Sequence, residues 1–394
     1  MQTELNANGG IPPALLRMLA VMAGVSVANI YYSQPLLDLI RSDLHVSEFQ
    51  ANLIPMSGQF GYALGLLFII PMGDLFHRRR IIVTNFIVLF GSLIVFALSG
   101  NLWLTLVASL LTGTCSVIPQ FFLPIASQFS TPDTKERNVG IVLSGLLTGI
   151  LASRVVSGAV GEYWNWRMMY LLAAGMMGVC CILVLKLLPD IQPTYKGSYP
   201  GLMKSLYTLL RRYPALRVCS ARAALAFGGF MAAWACLAFR LAEEPFQAGS
   251  DAVGFLGLCG VAGAVTASFI GGYIRRVGVF RFNLTGCACM LTAWTCLLWL
   301  CGESYAGLVT GIILLDIGMQ CIQLSNQTSV FGLYPPATNR LNTVFMTTYF
   351  IGGSTGTFLA GTFWHWMGWQ GVVLTGVLLV ACSLSITLCC RETV

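Results

Sequence analysis

The sequence has little charge. Of its 394 residues only 9% are Asp, Glu, Lys or Arg, and 56% are hydrophobic. A soluble domain carries about 25% charged residues, so an ordinary water-facing surface is excluded. With a mean hydropathy of +0.77, the chain reads as an all-α membrane protein that crosses the bilayer many times. Acid is scarcest inside the apolar runs, where Asp316 is the only one well away from an end. Histidine is rare too: His45, His77 and His365 lie far apart, and the 14 cysteines contain no Cys-x-x-Cys. Neither a metal site nor a disulfide framework is expected, and cysteine here serves as a small hydrophobe. There is no nucleotide-binding loop and no convincing nucleophile arrangement. These absences argue against an enzyme, a resident cofactor and an ATP-driven pump. The first residues, MQTELNANGG, carry no basic n-region and no cleavage pattern, so no removable signal peptide is expected.

Long apolar runs are what the chain has. A spanning helix needs about 20 mostly apolar residues. Twelve candidates follow, at 14–36, 49–72, 81–99, 103–129, 139–161, 168–188, 217–241, 251–274, 282–301, 305–331, 343–364 and 370–390. With that count, eighteen of the 22 Lys and Arg residues share one face, three (Arg41, Arg167, Arg240) lie on the other, and Arg154 lies within a span. Positive charge stays cytoplasmic, so both termini are expected inside. The net charge of +7 then reflects topology rather than nucleic-acid binding.

The longest polar gap, 189–216, holds four prolines and divides six spans from six. The expected organisation is a six-helix half at 1–188, a central loop at 189–216 and a second half at 217–394, with a short surface helix at 202–213. The halves match at an offset of about 203. Gly149, Gly158 and Trp166 face Gly352, Gly361 and Trp369, and Thr131–Arg137 faces Tyr334–Arg340. Such a match indicates two parallel repeats, with a ligand path at the midplane between them.

One segment stands out within this pattern. GLLTGILASRVVSG, Gly145–Gly158, is a glycine-stepped membrane segment with Arg154 in its middle. A charge there costs about 2.5–3.5 kcal/mol on insertion scales, so it faces a cavity or a partner rather than lipid. On the tenth span Asp316, Gln320, Gln323 and Gln327 recur at helical spacing and form one polar stripe. Facing lipid would be too costly; lining a cavity and bonding between helices both remain open.

The loop Pro71–Arg80, PMGDLFHRRR, resembles the cytoplasmic loop motif of the major facilitator superfamily, G-x-x-x-D-R-x-G-R-R. Asp74, Arg78 and Arg79 fit; Ile70, Leu75 and His77 depart from it. A degenerate second copy keeps Gly271, Arg276 and Gly278, with Arg275 where the acid belongs. The likeness spans nearly the whole chain and is nearest the twelve-span efflux branch of drug/proton antiporters and sugar-efflux permeases. The branch's fourth-span arginine is absent, its place being taken by Ser109. Its fifth-span glycine–proline pair is also missing, and Arg154 lies in the vicinity.

The resemblance implies alternating access of the two halves. Asp74, Arg78, Arg79 and Arg276 are then a conformational latch, though a simple positive anchor explains the arginines equally. It also implies that the first, fourth, seventh and tenth spans line the cavity. Asn29, Tyr32 and Ser33 share one face of the first span, and Gln120 sits between two prolines of the fourth, opposite Gln323 at the repeat offset. An interfacial aromatic belt is the other reading of the tyrosines.

Asp316 lies about 17 Å, and Arg154 about 10 Å, from the outer ends of their helices. The expectation is that Asp316 carries the proton, with Arg154 either its state-dependent partner or a ligand for an anionic substrate, or else that the pair forms a fixed bridge between helices. Asp38, Glu162 and Glu243–Glu244 are other possible partners for Arg154. Burial favours the neutral form of a carboxyl and a nearby arginine the charged form, so the protonation of Asp316 would follow their separation. The implied function is proton-coupled export of a small organic compound by a monomer in the cytoplasmic (inner) membrane. Proton-linked nutrient uptake and a non-transporting membrane sensor of the same fold are the alternatives.

Overall fold

The computed structural model describes residues 9–193, 197–299, 304–334 and 337–391, without the side chains of 268, 270–272 and 275. Gly271, Arg275, Pro335 and Pro336, used in matching the repeats, lie outside that description. Every regular element among the described residues is helical. Eleven helices are long and apolar enough to span: Pro13–Leu44, Glu48–Leu75, Arg78–Leu98, Leu102–Phe129, Lys135–Tyr163, Trp166–Leu187, Pro214–Ala242, Ser250–Ala267, Val279–Trp299, Tyr305–Leu333 and Trp369–Cys389. Thr338–Met367, of 30 residues, is the eleventh of twelve in chain order. It is more polar because Thr338, Asn339, Arg340, Asn342 and Thr343 line an internal cavity. Most helices overrun the sequence-based limits by a few residues, since hydropathy marks only the part that suits hydrocarbon. Polar caps then set the true ends: Ser47 and Gln50 form a capping box, and Asn101 and Asn165 accept from the Leu104 and Met168 amides at 2.9 and 2.8 Å.

The two repeats appear directly in the packing. The first and fifth spans cross where a Cβ on Gly24 would lie 2.5 Å from the Gly145 carbonyl oxygen. The seventh and eleventh cross the same way, with a Cβ on Gly228 falling 2.7 Å from the Gly352 carbonyl oxygen. Small residues allow this backbone contact, and Gly228 and Gly352 follow Gly24 and Gly145 by 204 and 207 residues, close to the offset of the sequence match. The halves are not identical. The first span breaks between Pro13–Ala28 and Ser33–Leu44, and the fourth between Leu102–Cys115 and Pro119–Phe129. Pro35 and Pro119 lack the amide hydrogen that would carry each helix through. Their counterparts, the seventh and tenth spans, are unbroken.

Between the halves, Tyr199–Arg212 forms the short amphipathic helix, burying Leu202, Leu206 and Leu209. Arg41 pairs with Asp38 and Glu48, Arg167 with Asp43 and Arg240 with Glu243. All three arginines outside the basic face are therefore ion-paired, which sharpens the charge asymmetry.

The halves meet tightly at the far face, away from the basic loops. There the Asn52 amide donates to the Thr357 carbonyl at 2.9 Å, and the Ser354 hydroxyl to the Met56 carbonyl at 3.1 Å. Ser250, which opens the eighth span, donates its amide to the Glu162 carboxylate at 3.1 Å and its hydroxyl to the Gly158 carbonyl at 2.8 Å. At the basic face the halves part.

Candidate functional site

The parted halves enclose a cavity of about 590 Å³. Its mouth at the basic face is lined by Asp74, Arg78, Phe331, Asn339 and Arg340, and its deep end by Tyr31, Arg154, Gly260 and Asp316. The volume suits a small organic ligand.

Arg154 sits at the closed end and is 2% exposed. Its Nε–H donates to Gln34 Oε1 at 2.9 Å. The guanidinium carbon lies 3.8 Å from the Trp234 ring centroid and 5.2 Å from that of Tyr31. None of the acids considered as its partner takes that role. Asp38 pairs with Arg41, Glu162 accepts from Ser250, and Glu243 pairs with Arg240. A cation on an aromatic face gains electrostatically from the ring quadrupole, more so where water is excluded. Gln34 is held from its other side, its amide 3.8 Å from Met231 Sδ.

Asp316 is 7% exposed, and its Oδ2 has no hydrogen-bond partner among the described residues. It shares the cavity with Arg154 and lies within reach of its charge, but the two are not in ion-pair contact. The fixed bridge is thus not what holds the helices in this conformation.

The tenth-span stripe does line the cavity, through Gln320, Gln323 and Gln327. Gln323 accepts from the Tyr349 hydroxyl at 3.0 Å, and Gln327 donates to Asn342 at 3.0 Å. Gln120, the repeat mate of Gln323, lies opposite and donates to the Tyr62 hydroxyl at 3.4 Å. Tyr62 packs on Phe350 and Phe227 on Tyr349, with ring centroids 4.3 and 3.8 Å apart. The cavity therefore has an aromatic wall and amide rungs, with two ionisable side chains at its base.

On the first span the expectation needs correcting. Asn29, Tyr32 and Ser33 do not line the cavity; Val27 and Tyr31 do. Asn29 donates to the Val25 and Ser26 carbonyls and lies 3.5 Å from Met177 Sδ on the sixth span. Tyr32 is buried near Cys180, and Ser33 is buried beside Tyr170. The helix breaks at 29–32, so a 3.6-residue period cannot be carried through it, and the faces rotate.

The residues expected to form a latch do not come together as one cluster. Asp74 lies 3.7 Å from Arg78, which donates to the Gly73 carbonyl and to Gln128 Oε1 at 3.1 and 3.0 Å. Arg79 binds the Leu185 carbonyl on the sixth span, within its own half. Arg276 is exposed. The cation that faces Asp74 across the cavity mouth is Arg340. Arg222 is buried and donates to the last carbonyls of the twelfth span, including Cys390 at 3.1 Å. Ser109 bonds the Ile54 carbonyl at 2.7 Å, on the second span rather than in the cavity.

A family model described as Major Facilitator Superfamily matches residues 19–357. "Uncharacterized transporter YgaY" of Escherichia coli O157:H7 is 34% identical over 377 residues, 96% of this chain and 95% of that protein. "Probable sugar efflux transporter" of Mannheimia succiniciproducens is 24% identical, over 78% of this chain and 76% of that one. Among solved structures, a bacterial homolog of the human lysosomal transporter Spinster, in an inward-facing and unoccupied conformation, superposes with a TM-score of 0.78. It covers 98% of both chains at 13% identity.

Proposed function

The chain belongs to the major facilitator superfamily, and on that premise we propose that it exports a small organic compound in exchange for protons. It is a multi-pass membrane transporter and not an enzyme. Its halves, 1–188 and 217–394 joined by 189–216, rock about the central cavity. The basic face is cytoplasmic by the positive-inside rule. Both termini then lie inside, the membrane is the inner membrane, and the cavity is open for loading from the cytoplasm. A single copy holds the whole path.

One observation carries this reading: among the described residues, a buried acid with an unpartnered oxygen and a buried arginine without an acid share the closed end of one cavity. Asp316 holds a proton while the site is empty and gives it up to the cytoplasm as substrate enters. The far face then opens, substrate leaves, and a proton returns from outside. Each charge moved down 100 mV is worth about 2.3 kcal/mol. The efflux relative supports the direction.

Inside-out vesicles from cells overproducing the protein test this. With respiration driving an acidic lumen, adding a transported compound from a chemical library is expected to dissipate the pH gradient, and Asp316→Asn to abolish the effect. Dissipation that persists in Asp316→Asn contradicts the role given to Asp316.

A further inference from the structure

Arg154 spends its Nε–H on Gln34 and one flat face on Trp234. Its two terminal amino groups have no hydrogen-bond partner among the described residues. That leaves open the forked edge of the guanidinium, which grips a carboxylate through two parallel bonds. Asp316 presents Oδ2, equally without a partner, to the same cavity.

The eighth span serves as a ruler between them. A side chain on Gly257 would meet the stem of Arg154, while those on Gly260 and Gly263 would approach Asp316. The two stems are thus offset by three to six residues, on the order of 5–9 Å at 1.5 Å per residue. No ion pair closes that gap, and the cavity there has room for a small molecule with one charge of each sign. Tyr31, Phe227, Phe230 and Tyr349 supply an apolar, π-rich wall beside it.

We propose that the substrate is an aromatic amphoteric compound, its carboxylate docked on the Arg154 fork and its ammonium on Asp316. The proposal rests on the transporter reading of this cavity. A ligand with ammonium alone leaves Arg154 buried and uncompensated. A ligand with carboxylate alone meets the like charge of ionised Asp316, or requires Asp316 to keep its proton, so that both would travel the same way. An ammonium on Asp316 instead displaces the proton, and displacement is what exchange requires. The other ionisable groups near Asp316 are Arg154 on the fifth span, Tyr349 on the eleventh and Cys259 on the eighth. None of these is a second acid that could hold the ammonium in its place.

The test is a binding series on the purified full-length protein in lipid nanodiscs. The probes are one- to three-ring aromatic amino acids and larger aromatic amino-carboxylates, each with its amine-only and acid-only analogue. At least one amphoteric member is expected to bind ten times or more tightly than both of its analogues, the scale of one charge-assisted contact. Arg154→Gln should lower it to the level of the amine, and Asp316→Asn to the level of the acid. Arg154→Lys and Asp316→Glu, which keep the charges, should retain a preference and show that the fold is intact. The proposal is overturned if no amphoteric member outranks its analogues, or if the preference survives both neutral substitutions. Proton-linked flux of an amine-only compound would overturn it while leaving the exporter reading standing. Amphoteric binding without flux would do the reverse.

Discussion

The Arg154 guanidinium, carried by the fifth span, rests 3.8 Å from the centre of the Trp234 ring on the seventh. A cation from the first half thus lies on an aromatic face from the second, where the far ends of the halves close. In the proposed cycle, opening the far face separates them, so the contact is expected to favour the conformation open to the basic face.

Trp234→Leu removes that stacking, worth about 0.5–2 kcal/mol. The population open at the far face should rise roughly two- to thirtyfold, a factor of ten per 1.4 kcal/mol. Spin labels at the exposed far-face residues Tyr163 and Met367, in a cysteine-depleted background, report it as a longer distance. Trp234→Phe keeps an aromatic face and should move the distribution less.

Glu162 offers a second contact of the same kind. Its carboxylate accepts the Ser250 amide at 3.1 Å, at the N-terminus of the eighth span in the other half. An acid at a helix N-terminus contributes about 0.3–1 kcal/mol, more when partly buried. Glu162→Gln should lengthen the same label distance in a smaller fraction of molecules, and the change should add to that of Trp234→Leu.

At the basic face the logic reverses. Asp74 and Arg340 face each other across the open mouth and would close on one another when the far face opens. Asp74→Asn and Arg340→Gln should each disfavour that state, by about 0.2–1 kcal/mol for a partly exposed pair. The double variant should do no more than either single one.

The glycine crossings test the repeat. Gly149→Val puts a branched side chain against Gly24, and Gly352→Val puts one against Ala224. Overpacking of this kind costs about 1–3 kcal/mol. The two variants should lower the melting temperature by similar amounts, and Gly91→Val, at a position with open space around it, should not.

Much of this architecture was legible in the sequence because it follows from solvation. Apolar runs, basic loops and a glycine ladder repeated at offset 203 are imposed by the bilayer and by backbone contact. The tenth-span stripe was legible for the same reason: Tyr305–Leu333 is one unbroken helix, so helical spacing holds along its length. The first span defeated that rule because its helix stops at Ala28 and restarts at Ser33, which turned Tyr31 inward and Asn29 away. Pro35 was the signal that could have warned of it. The partners of Arg154 were hidden for a different reason. A buried cation calls for an acid, whereas Gln34 and Trp234 hold this one without opposing charge. A tryptophan in the middle of a spanning helix, away from any interface, was the available sign.

The central claim is that Asp316 carries the proton that substrate displaces. It is tested most directly by reconstituting Asp316→Asn in liposomes and comparing two fluxes of one transported compound. The account predicts that substrate-for-substrate exchange continues at a measurable rate, while uphill transport driven by a pH gradient, and the accompanying proton flux, fall to background. Uphill transport at the unsubstituted protein's proton-to-substrate ratio would contradict it.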